Sequence, residues 1–377
     1  MDVLKDYRAQ IDAVDDQIVK LFQERMDIAA NIAACKRENG LPILQSARER
    51  EKLADVSGKA REDMRSYLRV LYSLLFELSR TYQEKGTRTP LYGRIAAAIE
   101  NTPRLFPREA TVACQGVEGA YSQLACEKLF ANPRIQYFRN FEGVFSAIEA
   151  GFCQYGILPI ENSTAGSVNR VYDLMISHNF SIVRATRLKV DHCLLAKPDH
   201  TEIREIFSHE QAINQCAGFL KSLGNVKITV CENTAVAAKT VALSDRKDVA
   251  ALSSRLCAEL YGLKLVRSGV QDAGNNHTRF LCISKNTEIY PGADKTSVMM
   301  VLPHKPGALY KVLARLYALG INLLKLESRP IPDRDFEFMF YLDLETSVYS
   351  EEFIQLMCEI GSICEEFKYL GSYSEVV

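Results

Sequence analysis

The first forty residues constrain this chain more than any other part of it. Neither glycine nor proline occurs between Leu4 and Asn39. Apolar residues recur in this stretch at steps of three and four, which is typical of an amphipathic helix with heptad character. These residues are Leu4, Tyr7, Ile11, Val14, Ile18, Leu21, Ile28, Ile32 and Cys35. The sequence therefore predicts one helix of about 35 residues, which would be roughly 50 Å long.

Two shorter helices are predicted to follow the long one, over about 46–57 and 61–85. They are too short to cover the whole apolar stripe of the first helix. Residues 1–88 are therefore predicted to form an all-helical domain that pairs with a second copy of the chain as an intertwined dimer.

The bulk composition narrows the class of protein. The 377 residues are enough for two or three domains, and 47% of them are hydrophobic, which supplies packed interiors. A formal net charge of −1 argues against binding to nucleic acid or to an anionic membrane surface. The eleven cysteines form no CxxC pair and the six histidines show no ligand spacing. We therefore expect reduced thiols, no metal site and no cofactor.

The N-terminal residues are charged throughout and contain no apolar segment of the kind found in secretory signal peptides. No stretch of the chain approaches the roughly 18 uninterrupted apolar residues of a membrane-spanning helix. We therefore expect a cytoplasmic protein without a membrane span.

The sequence pattern changes after residue 88. Prolines at 90, 103 and 107 lie around a short helical stretch, and residues 89–108 are predicted to be a linker. From Ala110, short β-branched or aromatic runs alternate with helical stretches, which predicts a two-lobed α/β domain over 109–286 with a mostly parallel sheet and a cleft. The eight predicted strands are 111–114, 135–138, 155–160, 182–190, 203–207, 226–230, 249–252 and 279–284.

The last eighty residues predict a separate small domain over 296–377. Its elements are a strand at 296–302, a helix at 308–319, strands at 321–329 and 336–344, a helix at 350–360 and a strand at 366–370. This order is the α+β pattern βαββαβ of ferredoxin-like units. The pattern alone carries no information about chemistry.

Charged residues interrupt the apolar face of the first helix. Arg25 occupies a position of the heptad seam between Leu21 and Ile28, and Lys36 lies three turns further on the same face. A buried cation must be paired or must bind an anion, because an unpaired buried charge is costly. Arg8 lies roughly 100° around the helix from Arg25 and would more easily face the site of a partner subunit. Internal ion pairs of an ordinary helical bundle are the alternative explanation.

Residues 1–88 resemble the all-helical chorismate mutase family, whose three-helix chains form intertwined dimers. The resemblance implies a site for chorismate made of residues that match in type and order: Arg8, Arg25, Lys36, Arg48, Glu49, Ser79 and Gln83. One position departs from the family pattern, since Gln45 stands where an acidic residue is common. This departure bears on a secondary contact with the substrate.

The reaction that the resemblance implies is the rearrangement of chorismate to prephenate. It needs a compact substrate geometry and stabilisation of charge on the ether oxygen, and it needs no nucleophile. By resemblance, Lys36 and Gln83 donate hydrogen bonds to the ether oxygen, and Glu49 accepts one from the ring hydroxyl. Arg25, together with Arg8 of the partner subunit, holds the carboxylates.

The middle segment contains clusters of small polar residues. Residues 116–123 form a glycine-rich turn after a predicted strand, and residues 159–167 end a strand in Asn, Ser and Thr just before a helix. Ligands of α/β sheets bind at such strand ends, although ordinary helix capping produces the same composition. The absence of G-x-G-x-x-G and GK[ST] argues against a nucleotide site. Two more polar runs are residues 208–211 with Gln215, and residues 276–280.

Residues 110–285 resemble prephenate dehydratases through PIENS at 159–163, DHCLL at 191–195 and TRF at 278–280. The resemblance implies a two-lobed fold like that of periplasmic binding proteins, and conversion of prephenate to phenylpyruvate. It also implies that Thr278 assists departure of the ring hydroxyl, either as a proton donor or through a hydrogen bond. Arg279 is either a carboxylate anchor or part of a structural ion pair. The other residues assigned to the prephenate site are Asn162, Ser163, Thr164, Ser208 and Gln215.

The C-terminal segment resembles the ACT domain of prephenate dehydratases through a GAL run at 307–309 and an ESRP run at 327–330. The resemblance implies that L-phenylalanine binds between two such domains of a dimer and inhibits the enzyme. The residues it assigns to the effector site are Gly307, Ala308, Leu309, Asn322, Glu327 and Ser328.

Two alternatives to this bifunctional enzyme remain at the level of sequence. One is a non-catalytic amino-acid sensor whose middle segment binds a small solute. The other is a dehydratase whose helical domain has kept dimerisation and lost mutase activity. Formation of phenylpyruvate from chorismate discriminates among the three, because the sensor converts nothing and the third protein converts prephenate only.

Overall fold

A computed structural model describes residues 2–41, 45–84, 90–332, 334 and 337–377. The chain forms two compact units, Met1–Thr89 and Pro90–Val377. They are termed the helical unit and the main unit below. Lys85, Thr89 and Phe336, which begin or end predicted segments, lie outside the described residues.

The helical unit contains the long helix predicted from the sequence. Helix α1 is Asp2–Glu38, α2 is Ser46–Lys59, a 3-10 turn covers Glu62–Met64, and α3 is Arg65–Glu84. Helix α1 ends two residues before Gly40, whose φ of +63° is a left-handed conformation that suits glycine at a helix C-terminus. All three predicted helices are confirmed. None of the described helices is both long and apolar enough to cross a membrane.

The apolar stripe in the first half of α1 is not buried by the other described residues of the chain. Six residues of its apolar stripe are each more than half exposed: Leu4, Tyr7, Ile11, Val14, Ile18 and Leu21. The buried apolar residues of this unit instead lie where the second half of α1 meets the other helices, and include Ala29, Ala33 and Val56. The exposed stripe is the feature that the predicted dimer would bury.

The main unit contains the following elements among its described residues. Its strands are β1 Glu109–Gln115, β2 Asn132–Phe138, β3 Tyr155–Asn162, β4 Gly166–Ser167, β5 Ser181–Lys189, β6 Cys193–Ala196, β7 Glu205–Ser208, β8 Lys227–Val230, β9 Val249–Ser253, β10 Lys264–Arg267, β11 His277–Ser284, β12 Lys295–Val301, β13 Asn322–Pro330, β14 Phe338–Glu345, β15 Glu366–Tyr373 and β16 Glu375–Val376. Its helices are α4 Pro90–Asn101, α5 Tyr121–Leu129, α6 Phe141–Glu149, α7 Asn169–Ser177, α8 Glu210–Gln215, α9 Ala217–Ser222, α10 Thr234–Leu243, α11 Arg255–Tyr261, α12 Ala308–Ala318 and α13 Glu351–Ile363.

Two sheets form two lobes. The sheet of the first lobe has the order β16-β5-β11-β3-β1-β2, with β4 added to β3, and that of the second lobe has the order β10-β6-β9-β7-β8. The chain passes from the first lobe to the second after β5 and returns after β10. Two crossings between two sheets leave a cleft between the lobes, as the sequence predicted.

The expectation of mostly parallel sheets is wrong. Strand β11 lies between β3 and β5 and pairs antiparallel with both, and β6 pairs antiparallel with β9 and β10. Strands β5 and β6 lie on either side of the first crossing between the lobes, and β10 and β11 lie on either side of the second. Short strands such as β4, β6, β10 and β16 were not predicted, because two to four residues give too little periodicity to identify.

The segment expected to be a linker contains structure that belongs to the main unit. Helix α4 occupies residues within 89–108, and its Ile95 and Ala98 are buried against apolar residues of the C-terminal elements. The three prolines correctly predicted breaks around this helix. They could not reveal that its apolar face packs on the C-terminal elements.

The C-terminal elements β12 to β15, with α12 and α13, form the predicted βαββαβ unit, termed the C-terminal module. Its antiparallel sheet has the order β13-β14-β12-β15. One face of this sheet, including Met300 and Leu342, packs on α12 and α13, while the other face, including Met299 and Tyr341, packs in one apolar core with Tyr172 of the first lobe. The module therefore shares a hydrophobic core with the first lobe.

Candidate active sites

A cavity of about 310 Å³ lies among the three helices of the helical unit. It is termed the helical cavity. Six of the seven residues assigned to the mutase site line it: Arg25, Lys36, Arg48, Glu49, Ser79 and Gln83. Gln45 lines it as well, so the position that departs from the family pattern faces the same space.

The guanidinium of Arg25 is held by neutral groups. Its Nη1 donates to the carbonyl oxygen of Leu75 at 3.2 Å and to the hydroxyl of Ser79, and its Cζ lies 6.0 Å from the centre of the Phe76 ring. Partial burial lowers the pKa of Arg25 below its ordinary value, although Tyr72 acts in the opposite direction. No carboxylate among the described residues pairs with Arg25. A cation in this setting suits an anionic ligand.

Glu49 has a partner that the sequence did not single out. Arg80, on α3, contacts the Glu49 carboxylate and lines the helical cavity next to it. Arg48 lies at the exposed edge, where it pairs with Glu51 at 2.7 Å. Arg80 was missed because an arginine beside Ser79 gives no sign of which way its side chain points.

Two further residues complete the description of this cavity. Gln83 is almost wholly buried, and its Oε1, an acceptor, has no hydrogen-bond partner among the described residues. Arg8 does not line the helical cavity; it is exposed near the start of α1.

A second cavity, of about 320 Å³, lies between the two lobes of the main unit. It is termed the cleft cavity. Asn162, Thr278 and Phe280 line it from the first lobe, while His192 and Gln215 line it from the other side. Pairing of β3 with β11 places Thr278 directly opposite Asn162.

The amide of Asn162 organises this site. Its Oδ1 accepts hydrogen bonds from the backbone N–H groups of Thr164 and Ala165, at 3.1 and 3.0 Å. Because a backbone N–H can only donate, these bonds fix which end of the amide is oxygen. The Nδ2 group therefore faces Asn276 Oδ1 at 2.7 Å and Thr278 Oγ1 at 2.9 Å.

This orientation determines what the Thr278 hydroxyl can do. Its oxygen accepts the N–H of Asn162, so its own proton remains available as a donor. The residue also lines the cleft cavity. A hydroxyl whose oxygen accepts a hydrogen bond from Asn162 and whose proton can be donated into the cavity suits hydrogen bonding to a leaving oxygen.

The network continues to Gln215 and His192. Gln215 Nε2 donates to Thr164 Oγ1 at 2.8 Å, and its Oε1 accepts from Asn276 Nδ2 and His192 Nε2, each at 2.9 Å. His192 Nε2 must therefore carry a proton, while its buried Nδ1 has no partner among the described residues. Burial lowers the pKa of His192 despite the bond to Gln215, which favours the neutral ring.

Sequence reasoning did not assign Asn276 or His192 to the site. Asn276 lies in the polar run at 276–280, and His192 belongs to the DHCLL motif at 191–195. The signal for Asn276 was its position two residues from Thr278, which places the two side chains on the same side of an extended chain.

No lysine or arginine lines the cleft cavity among the described residues. Two helices instead begin at its wall. Tyr121 and Ser122 start α5, and Thr234 starts α10 after its capping residue Asn233. Helix N-termini present free N–H groups and a partial positive charge, so they can bind carboxylates without a cationic side chain.

Three residues assigned to the dehydratase site lie elsewhere. The Ser163 hydroxyl donates to the carbonyl of Asn275 at 2.8 Å and accepts from the N–H of His277. It therefore links the end of β3 to the start of β11. Ser208 is buried in the second lobe and donates to the carbonyl of Leu252 at 2.9 Å. Arg279 lies on the far face of the first sheet and contacts Asp343 of the C-terminal module. The geometry therefore corrects these assignments, and that of Arg279 as a carboxylate anchor in particular.

Replacing Ser208 with alanine is expected to leave prephenate turnover within threefold of the wild-type rate, because its hydroxyl bonds to the backbone away from the cleft cavity. The lost hydrogen bond should cost about 1 kcal/mol of stability. Steady-state rates and thermal unfolding of the variant measure the two effects. A loss of turnover above a hundredfold in a folded Ser208→Ala variant would restore Ser208 to the site.

The residues assigned to the effector site lie on the C-terminal module. Gly307 precedes α12 with a φ of +82°, and Asn322 Nδ2 donates to Glu345 Oε2 at 2.9 Å. Glu327 faces the first lobe and accepts from the Ser167 hydroxyl at 2.5 Å, whereas Ser328 is exposed on the opposite side of the strand. Ala308 and Leu309 begin α12, and both are partly buried in the core of the module.

Two family models match separate stretches of the chain. The family model for chorismate mutase type II matches residues 7–84, and the model for prephenate dehydratase matches residues 112–288. The bifunctional chorismate mutase/prephenate dehydratase of Escherichia coli strain K12 is 31% identical over 378 residues, covering 97% of this chain and 95% of that protein. The chain belongs to the bifunctional chorismate mutase/prephenate dehydratase family.

Two solved structures are similar to the main part of the chain. The prephenate dehydratase of Arthrobacter aurescens in complex with L-Phe is 26% identical, with a TM-score of 0.65, and covers 70% of this chain and 90% of that one. A protein described as GqqA, a novel type of quorum quenching acylase, is 32% identical with a TM-score of 0.65, covering 71% of this chain and 98% of that one. Acylase activity is a property of that protein.

Membership in the bifunctional family gives the chain two activities. As a chorismate mutase it rearranges chorismate to prephenate, and as a prephenate dehydratase it converts prephenate onward to phenylpyruvate. The helical cavity lies within the stretch that matches the mutase model. The residues of the Asn162–Thr278 network lie within the stretch that matches the dehydratase model.

Proposed function

We propose that the helical cavity is the chorismate site, with a separate role for each residue that lines it. Arg25 and Arg48 hold the substrate carboxylates, and Ser79 supports Arg25. Lys36 and Gln83 donate hydrogen bonds to the ether oxygen, where negative charge develops in the transition state. Glu49, steadied by Arg80, accepts the hydrogen bond of the ring hydroxyl. The observation that carries this proposal is Arg25, a half-buried cation that lines the cavity and whose hydrogen-bond partners among the described residues are all neutral.

We propose further that the chain is a homodimer through α1 and that Arg8 completes the site of the partner subunit. The six exposed apolar residues of the α1 stripe support this arrangement, because an unpaired stripe of this kind is costly in water. Arg8 lies on the same exposed half of α1, so a partner helix packed along the stripe would meet it. A cytoplasmic location accords with the eleven cysteines of the chain, which form no disulfide bond among the described residues.

In the cleft cavity, the reaction requires the ring hydroxyl and one carboxylate of prephenate to leave together. Thr278 donates a hydrogen bond to the departing hydroxyl while Asn162 holds the Thr278 oxygen in place. An unperturbed alcohol is a weak acid, so polarisation through the hydrogen bond suits Thr278 better than transfer of a full proton. The starts of α5 and α10 hold the carboxylates, the role once expected of Arg279.

The C-terminal module acts as an ACT domain that binds L-phenylalanine and inhibits the dehydratase. Its βαββαβ topology and its GAL and ESRP runs support this role. The similar dehydratase of Arthrobacter aurescens is described in complex with L-Phe. Inhibition follows if the effector favours an arrangement of the chain that binds prephenate less well.

Supplying chorismate and following phenylpyruvate tests the two-step reaction, and calorimetry with L-phenylalanine tests the regulation. We expect phenylpyruvate to form, and L-phenylalanine to bind and to lower the dehydratase rate at least fivefold at saturation. D-phenylalanine is the control ligand, since a site that positions one enantiomer misplaces the other. Absence of binding by L-phenylalanine would remove the effector proposal, and turnover of prephenate alone would indicate an inactive helical unit.

A further inference from the structure

Strands β3 and β11 carry two pairs of residues on opposite faces of the first sheet. Asn162 opposes Thr278, and both line the cleft cavity. The preceding and following residues, Glu161 and Arg279, oppose each other on the other face. Because side chains alternate along a strand, each member of the second pair shares a peptide unit with a residue of the first.

Arg279 is held by groups of the C-terminal module and of β16. It is 5% exposed, and its guanidinium contacts Asp343 of β14 and lies 3.2 Å from Glu375 Oε1. The hydroxyl of Tyr373 lies 3.1 Å from its Nη2. Asp343 is fully buried and also accepts from the hydroxyl of Ser297. A buried cation with buried anionic partners resists displacement, because separating them leaves an uncompensated charge.

Glu161 is held by the same module. Its Oε2 accepts from Lys325 Nζ of β13 at 2.8 Å, and its Oε1 lies 3.4 Å from Arg279 Nη1. Lys325 also donates to the hydroxyl of Ser167 at 2.9 Å. Glu161 and Ser167 lie on either side of the turn that contains Asn162 and Thr164. Lys325 therefore holds both ends of this turn.

The two sheets are also in close contact here. Gly371 of β15 has a φ of +145°, and a Cβ atom at this position would lie 2.2 Å from the carbonyl oxygen of Ile182 on β5. Only glycine permits such an approach. The C-terminal module therefore has little freedom to shift against the first lobe without moving the charged groups between them.

We propose that Glu161 and Arg279 are positioning residues through which the C-terminal module sets the geometry of Asn162 and Thr278. The proposal rests on the role given above to Thr278 and Asn162. Lys325 lies two residues before Glu327, which the family resemblance assigns to the effector site. The contacts of Lys325 and Asp343 thus form a short physical connection from the C-terminal module to the reacting groups.

Two substitutions test the connection in the full-length protein: Lys325→Met and Asp343→Asn. Each should lower kcat for prephenate about tenfold with KM within twofold of wild type, because misplacement of Thr278 affects the reaction step more than binding. Lys325→Arg keeps the charge facing Glu161 and should restore kcat to within threefold. Lys247→Met is the matched control, since Lys247 forms an exposed ion pair with Asp199 at 2.8 Å on the second lobe.

The outcomes separate this inference from the proposed site. Thermal unfolding reports whether each variant is folded, and Lys325→Met decides the matter if Asp343→Asn does not fold. Unchanged kcat in folded Lys325→Met, with Thr278→Val inactive, would overturn the positioning role and leave the site intact. Full activity of Thr278→Val would instead remove the proposed role of Thr278. A joint change of kcat and KM that Lys325→Arg does not correct would also count against positioning.

Discussion

Replacing Lys36 with alanine is expected to lower chorismate mutase turnover about a thousandfold, the upper range for loss of one donor to a developing oxyanion. The Lys36 side chain lines the helical cavity together with Gln83, and both are proposed to donate to the ether oxygen. The dehydratase rate should stay within twofold of wild type, because its cavity lies in the other compact unit. Prephenate formation from chorismate and phenylpyruvate formation from prephenate measure the two rates in one preparation.

A matched control for this variant is Lys59→Ala. Lys59 lies at the end of α2, is largely exposed and pairs with Asp55 at 2.8 Å, away from the lining of the helical cavity. It should retain full mutase activity. Equal loss of mutase and dehydratase activity in Lys36→Ala would indicate unfolding and contradict the assignment. Mutase activity within tenfold of wild type would show that Lys36 does not stabilise the transition state.

The helical unit was the most predictable part of the chain, and the reason is local. A stretch without glycine or proline and with apolar residues at steps of three and four allows one regular structure only. Arg25 could be selected because a cation on an apolar face contradicts the pattern around it. Arg80 contradicts no pattern, and its place beside Glu49 depends on how α3 packs against α2. Contacts of this kind become visible only in three dimensions.

Residues of the first lobe show a different limit. The sequence identified β11 and the importance of Thr278, but alternation along a strand does not say which face of a sheet meets the cleft. The sequence therefore left Arg279 as either a carboxylate anchor or part of a structural ion pair, and the structure shows that it faces Asp343. The insertion of β11 between β3 and β5 determines which face meets the cleft, and the paired residues of β3 and β11 are separated by more than a hundred positions. Ser208 was misassigned for a similar reason, since a polar residue at a strand end can bond to the backbone.

The C-terminal module was predicted as an appended unit because its βαββαβ pattern is complete in itself. The structure shows that one face of its sheet is buried against the first lobe and that β16 continues into the sheet of that lobe. Removing residues 297–377 would therefore expose a hydrophobic core as well as any effector site. Single substitutions in folded protein give a cleaner test of regulation than truncation.

Thr278→Val is expected to lower prephenate dehydratase turnover by roughly 10²–10³-fold, the range for removal of one donor to developing charge. Valine keeps the shape of threonine and removes the hydroxyl that accepts from Asn162 Nδ2 and donates toward the cleft cavity. Thr278→Ser restores that hydroxyl and should retain activity to within tenfold. Chorismate mutase activity should not change. Initial rates of phenylpyruvate formation at saturating prephenate measure the effect on the reaction step.

Two checks distinguish loss of the donor from general damage to the site. Thr240→Val removes an exposed threonine hydroxyl that donates to the carbonyl of Val236 at 2.9 Å within α10, and it should leave the rate unchanged. Thr278→Val also leaves Asn162 Nδ2 without one acceptor, but its bond to Asn276 Oδ1 remains, so the amide should keep its orientation. If Thr278→Val retains a rate within tenfold of wild type, the departing hydroxyl is assisted by another group. His192 would then be the residue to examine, because it lines the same cavity and its buried Nδ1 has no hydrogen-bond partner in the described part of the chain.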